Sequence, residues 1–286
     1  MDKVKRLDDS EGWTTMDDLE KHKIRRPIDS LSGVTFCGCG FLGVYLVGVA
    51  SYLQEHVPFV LEKQFGGSSV GSLVAICLIC DIPLYHIRQK LLATAKEANN
   101  KFPWTLSPSF SLETPLLRAL LDLLPEDAHI RASGRLFLSL TKASRLSNEL
   151  VSEFKTRQEL VQAIICCCYV PVVSGFSVPS FKEPCRGKAR LLALYVDGAM
   201  SNNMPLKGPN TLSVHAFAGD FDICPDDQGF SSPLMATAFN QHLTLSLANV
   251  RRFAWSLVPP VPEELDKFYY EGYADARRCI TQNFKL

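Results

Sequence analysis

The sequence predicts an α/β protein, a three-layer α/β/α sandwich with a mostly parallel central sheet. Three observations carry that reading. Short apolar runs alternate with apolar helical stretches from Gly33 to about Leu206, the pattern of strands joined by crossover helices. Two of the runs end in glycine-rich turns, Gly38–Gly43 and Gly66–Gly71, each leading straight into an apolar helix. The chain has 286 residues, 47% of them hydrophobic, enough for one large packed core.

Residues 1–31 have mixed charge, with a basic cluster at Lys21–Arg26 preceded by Asp17, Asp18 and Glu20, and read as a mobile arm. Gly33–Gly38 reads as the first strand and Val44–Leu53 as a buried helix. A second short strand ends at Gly67, and Ser72–Cys80 continues as another buried helix. Glu113–Leu124 is amphipathic and Arg135–Thr141 is strand-like. Thr156–Cys168 is a helix with Thr at its start. Leu160–Phe181 carries no formal charge over 22 residues, but Pro171, Gly175 and Pro179 break it, so a core helix, loop and strand fit better than a membrane span. Leu191–Asp197 is an apolar strand. Beyond residue 206 the expectation is a strand around Val214 and helices at 236–257 and 262–281, split by Pro259 and Pro260. The units are thus the arm 1–31, a catalytic domain 32–206 and an extension 207–286 packed on it.

Lys and Arg together number 30, as do Asp and Glu, so there is no basic field for nucleic acid. The ten cysteines include the adjacent Cys166, Cys167 and Cys168 in an apolar run, and read as buried, reduced hydrophobes. Cys77 and Cys80 form a C-x-x-C without a second pair or a His cluster, so no metal site is expected. The charged first thirty residues and the absence of an N-x-S/T sequon fit an intracellular, non-secreted protein.

The chemistry concentrates at Gly67-Ser68-Ser69-Val70-Gly71. A G-x-S-x-G turn between strand and helix lifts a serine hydroxyl clear of the backbone, and the flanking Gly67 and Gly71 let strand and helix cross closely. Upstream, the loop Gly38-Cys39-Gly40-Phe41-Leu42-Gly43 gathers backbone N–H groups near a helix N-terminus, which makes an anion site. As a dinucleotide fingerprint it lacks the acidic residue at the end of the second strand. Gly66–Gly71 fails as a P-loop because Ser72-Leu73 stands where Lys-Ser/Thr is needed. An oxyanion hole facing a serine elbow remains. The third piece is Tyr195-Val-Asp197-Gly198-Ala199, an Asp at a strand end followed by small residues.

This order of motifs resembles the patatin-like phospholipase family. The wording of Phe36–Gly43, Ala132–Leu136, Tyr195–Ala199 with Ser201–Pro205, and Asp222–Pro225 is similar to its adipose triglyceride lipase branch. The end of the chain, Leu245–Asn249 through Phe268–Gly272, resembles that branch's short members, which hydrolyse triacylglycerol and retinyl esters. The resemblance implies Ser69 as nucleophile, Asp197 as general base and acid, and Gly38, Cys39, Gly40, Phe41 and Gly43 as the oxyanion loop. It implies a serine acyl-ester hydrolase without cofactor or metal, acting on neutral lipids or phospholipids at a lipid–water interface. It also implies an α/β-hydrolase-fold coactivator as a partner, and a cytoplasmic place at the periphery of lipid droplets or intracellular membranes. Transacylation shares the same acyl-enzyme and stays open.

Two positions depart from the family pattern. Ala199 replaces a usual glycine, which costs roughly 1 kcal/mol if that position needs positive φ. Val70 is bulkier than the usual alanine. They keep open a catalytically impaired protein that binds lipid surfaces. His215 and His242 follow Asp197 in the order that a Ser-Asp-His triad requires, but neither adjoins a Gly- or Asp-rich loop. His22, His56, His86 and His129 read as surface or helix-end residues. A Ser–Asp dyad is therefore expected. Exposed apolar loops at Lys101–Leu106 and Ser174–Phe181 are the expected contacts with lipid.

Overall fold

Short, wholly apolar strands are the mark of a sheet covered on both faces, and the four residues of Gly33–Phe36 are all buried. The computed structural model describes residues 26–101, 103–107, 110–171, 174, 178–182, 192–227, 235–238 and 241–285. In chain order these form β1 (Arg26–Pro27), β2 (Gly33–Phe36), α1 (Gly43–His56), β3 (Gln64–Gly67), α2 (Val70–Ile79), α3 (Tyr85–Asn99), α4 (Glu113–Leu123) and α5 (Ala128–Ala132). Then come β4 (Leu136–Lys142), β5 (Ser147–Val151), α6 (Arg157–Cys167), β6 (Ser180–Lys182), β7 (Leu192–Asp197) and β8 (Thr211–Val214). The chain closes with β9 (Met235–Ala238), β10 (Gln241–Thr244), α7 (Leu247–Leu257), α8 (Pro262–Asn283) and β11 (Phe284–Lys285).

The main sheet has seven strands in the order β6-β7-β4-β3-β2-β8, with β5 also paired to β4. Strands β8, β2, β3 and β4 run parallel, while β5 and β7 run against β4. Helices cover it in a three-layer α/β/α arrangement. The central helix α2 is buried along nearly its whole length, as a helix that is apolar all round must be. Thr156 caps α6 by accepting the Glu159 N–H. Among the described residues, no helix is long and apolar enough to cross a membrane.

The C-terminal third is woven into the domain. Strand β8 pairs with β2, and α8 lies along α1, where Tyr45 Oη donates to Asp275 Oδ2 at 2.8 Å in the interior. Residues 26–31 are not part of a mobile arm. Strand β1 pairs with β11, Arg26 Nη2 reaches Asp222 Oδ1 at 2.9 Å, and Leu31 is buried. Residues 1–25 lie outside the described residues.

The helix expected over 236–257 is a β-hairpin followed by a shorter helix. Ser246 starts α7 by accepting the Asn249 N–H, so the helix begins only at Leu247. The preceding segment, with β-branched Thr237 and Thr244, pairs β9 to β10 and back onto Ala218 through the Thr244 N–H.

Candidate active site

The sheet's register brings the two chemical side chains to one level. Gly67, the last residue of β3, stands opposite Leu138, and Asp197, the last residue of the reversed strand β7, stands opposite Leu140. Asp197 therefore sits two residues further along the β4 axis than Gly67, beside the turn on which Ser69 rides. Ser69 has φ 51° and ψ −132°, a backbone state that glycine tolerates and other residues adopt under strain of roughly 1–3 kcal/mol. The strain is held from several sides. Gly71 N–H bonds Ser68 O at 2.9 Å, Ser72 Oγ donates to Ser69 O at 2.6 Å, and Ser69 N–H points at Cys167 Sγ at 3.2 Å. Val70 is buried at the start of α2 beside the side-chain-free Gly43.

Asp197 is equally fixed. Its N–H bonds Tyr169 O at 2.8 Å, its carbonyl accepts the Thr141 hydroxyl at 2.7 Å, and Oδ1 accepts the Ala199 N–H at 2.8 Å. Gly198 is required next to it, because a Cβ there would run into the Ser139 carbonyl. Ala199 does not carry the expected strain: it has no positive φ, and its amide serves the carboxylate. Burial pushes the Asp197 carboxyl up from 3.8 to about 6, partly offset by hydrogen bonds from the Ser69 side chain and the Ala199 N–H.

The Gly-rich turn narrows the oxyanion assignment. Gly38 N–H is held by Asn203 Oδ1 at 2.5 Å, and Gly43 N–H closes a turn on Gly40 O. Neither can serve an oxyanion while those bonds stand, which corrects the reading that put all five loop residues in the hole. The amides of Cys39, Gly40 and Phe41 make no hydrogen bond among the described residues. Gly40 has φ +54°, and a Cβ there would collide with the Ser256 carbonyl of α7.

Two cavities meet at Ser69, sharing Gly40, Val170, Ser256 and Leu257 in their walls. The first, about 190 Å³, is lined by apolar side chains such as Leu73, Ile87, Leu91, Leu116 and Leu120, with Lys90 its one charged residue among those described. The second, about 500 Å³, contains Asp197 and mixes Met200, Phe217 and Phe253 with the polar Asn203, His215 and Gln241. No Lys or Arg lines it among the described residues.

His215 is buried on the wall of the second cavity. Its ring nitrogens engage Phe217 and Gln241 Oε1. His242 is exposed on β10, and His22 lies outside the described residues. All nine described cysteines are free thiols. Among the described residues, no group of three or more His, Cys, Asp or Glu could hold a metal ion.

Of the expected lipid-contact loops, Trp104 is 44% exposed, Thr105 is buried, and Phe102 lies outside the described residues. In the other loop, Ser174 and Phe181 are buried and 175–177 are not described. Helix α7 also exposes apolar side chains, Leu247 (89% exposed), Val250 and Phe253. Sequence reasoning expected a helix that contains α7 and a buried Cys167, but missed that α7 and Cys167 adjoin the site, and missed Asn203 and Gln241. Only Asn203 carried a signal, inside the Ser201–Pro205 stretch.

A doubly covered, mostly parallel sheet with a strained serine between strand and helix and a buried carboxylate beside it is the arrangement of an α/β fold with a nucleophile-elbow turn. The patatin-like phospholipase profile matches residues 34–209, and the chain belongs to that family. It is 37% identical over 260 residues to human patatin-like phospholipase domain-containing protein 2, covering 90% of this chain and 50% of that one. It is 35% identical to mouse 1-acylglycerol-3-phosphate O-acyltransferase Pnpla3, covering 87% of this chain and 59% of that one. It is 32% identical to mouse omega-hydroxyceramide transacylase, covering 87% of this chain and 40% of that one. The chain thus spans about half the length of these curated relatives.

Proposed function

We propose that this protein is a serine acyl hydrolase or transacylase that acts on neutral lipid esters through a Ser69–Asp197 dyad. The observation that carries the reading is the Ser69 hydroxyl against a buried carboxylate of pKa about 6, at the junction of two largely apolar cavities. The acyl chain lies in the first cavity and the alcohol part in the second. Asp197 takes the Ser69 proton as Oγ attacks the ester carbonyl, and the oxyanion is met by amides of Cys39, Gly40 and Phe41. Collapse breaks the ester C–O bond, and the proton on Asp197 passes to the departing alkoxide. Water, or a second alcohol, then gives its proton to Asp197 and attacks the acyl-enzyme. Expulsion of Ser69 Oγ returns that proton to the serine.

Electrostatics supports a neutral substrate. A phosphate in the second cavity would be buried beside Asp197 with no described cation to offset either charge, an unfavourable arrangement. That argues against the phosphate-bearing acceptor named in the acyltransferase relative's description. The exposed apolar residues Val250 and Phe253 of α7 line the same cavity, and Leu247 lies exposed at the start of that helix. These residues support docking on a lipid surface, such as a droplet or membrane.

The test is hydrolysis of emulsified triacylglycerol, retinyl ester and phosphatidylcholine by wild type and Ser69→Ala. Release of fatty acid from the neutral esters that vanishes in the variant is expected. Equal or better turnover of the phospholipid contradicts the neutral-substrate reading. Adding an acylglycerol acceptor and looking for acylated acceptor separates transacylation from hydrolysis.

A further inference from the structure

The second cavity carries a polar group that the reaction above does not use. Gln241 begins β10, is only 6% exposed, and its Nε2 is buried without a hydrogen-bond partner among the described residues. A buried amide N–H left unbonded is unfavourable, and native structures hold few of them.

The neighbours decide which end of the amide is free. Asn203 Oδ1 accepts the Gly38 N–H at 2.5 Å, so the Asn203 amide turns its Nδ2 toward Gly38 O at 3.2 Å and Gln241 Oε1 at 3.3 Å. From the other side, the Phe217 N–H donates to His215 Nδ1 at 3.1 Å. That keeps the imidazole proton on Nε2, which donates to Gln241 Oε1 at 3.1 Å. Two donors converge on Oε1, and turning the amide over would set N–H against N–H on both sides. The unused donor is Nε2, on a residue that lines the same cavity as Ser69, Asp197 and Asn203.

The geometry assigns Gln241 as the residue that recognises the alcohol part of the ester, its Nε2 donating to a second oxygen on that alcohol. The chemical class that fits is an ester of a polyol, an acylglycerol, whose neighbouring hydroxyl or ester carbonyl accepts the bond. An ester of an alcohol with no second oxygen leaves Nε2 buried and unbonded, and is discriminated against for that reason. The assignment rests on the acyl-transfer reading above, and its test separates the two.

1-Decanoylglycerol and propyl decanoate carry the same acyl group. The ratio of their kcat/KM values therefore cancels changes in Ser69, Asp197 and the oxyanion turn. Measured in the same detergent micelles, wild type should prefer the glyceryl ester by about tenfold or more. Gln241→Met should lower that ratio about tenfold. Gln241→Glu should lower it similarly, because it keeps an oxygen facing His215 and Asn203 but replaces the free donor with an acceptor. A ratio unchanged in both variants overturns the assignment, whatever happens to the absolute rates. Where neither variant folds by circular dichroism, the wild-type pair decides, and no preference for the glyceryl ester overturns it. Failure of wild type to turn over either ester in a Ser69-dependent way is a different result, and removes the acyl-transfer reading itself.

Discussion

Replacing Asp197 with Asn should abolish turnover and yet stabilise the protein, by an amount that depends on pH. The carboxyl is buried and its pKa is raised from 3.8 to about 6. Each pH unit of that displacement is worth about 1.4 kcal/mol, so keeping the ionised form in the folded protein costs roughly 3 kcal/mol at full effect. The direction follows from proton counting. Below about pH 4 the group is protonated in both folded and unfolded chains and contributes no penalty. Between about 4 and 6 the unfolded chain releases the proton while the folded one retains it, so wild type loses stability as pH rises. Above about 6 the penalty is complete and constant. Asn cannot ionise, and its Oδ1 can still accept the Ala199 N–H now made to Asp197. The assay is denaturant unfolding of both proteins at steps from pH 4 to 8. The stability gap should widen in favour of Asp197→Asn as pH rises, reaching about 1–3 kcal/mol once the lost Ser69 hydrogen bond is counted. A gap that stays flat, or that favours wild type increasingly at high pH, would refute the claim that Asp197 is held ionised against its environment.

The same carboxylate should set an acidic limb near pH 6 in kcat/KM, since the base works only when ionised. Gly40→Ala should lower kcat by about 10² or more, because its positive φ and its contact with the Ser256 carbonyl leave no room for a Cβ without moving the free amides. A rise in KM alone would instead mark the turn as a binding element. Ser69→Gly and Ser69→Ala should both be inactive, but the glycine variant should be about 1 kcal/mol more stable, since φ 51° strains alanine; equal unfolding midpoints would deny the strain. Leu247→Asp, on the most exposed apolar residue of α7, should reduce sedimentation with neutral-lipid emulsions several-fold, whereas unchanged binding would move the lipid contact elsewhere.

Local motifs made much of the site legible in advance. A serine between glycines after an apolar run specifies the Ser69 elbow, because few other residues at those positions allow strand and helix to cross there. Asp197 could be read as a strand end, but its meeting with Ser69 depends on β7 running against β4, a register that no local pattern encodes. The glycine-rich turn announced clustered amides without saying which were already bonded. Asn203, far away in sequence, holds Gly38, and Gly43 closes its own turn. The hairpin of β9 and β10 was hidden because an apolar stretch ahead of a real helix looks like more helix, and only the Ser246 cap marks the boundary. Gln241 had no signal at all, since its meaning comes from His215 and Asn203, 26 and 38 residues away. Val70 and Ala199 looked like impairments as departures from the family pattern, but Val70 packs beside Gly43 and Ala199 has no positive φ.

The central claim is that Ser69 is the nucleophile and Asp197 its base. Intact-mass and peptide-mapping analysis after treatment with a fluorophosphonate tests it most directly. A single phosphonyl adduct on Ser69 is predicted, absent in Ser69→Ala and formed far more slowly in Asp197→Asn, with the wild-type rate rising through about pH 6. An adduct on Ser68, or labelling of Asp197→Asn at the wild-type rate, would contradict the account.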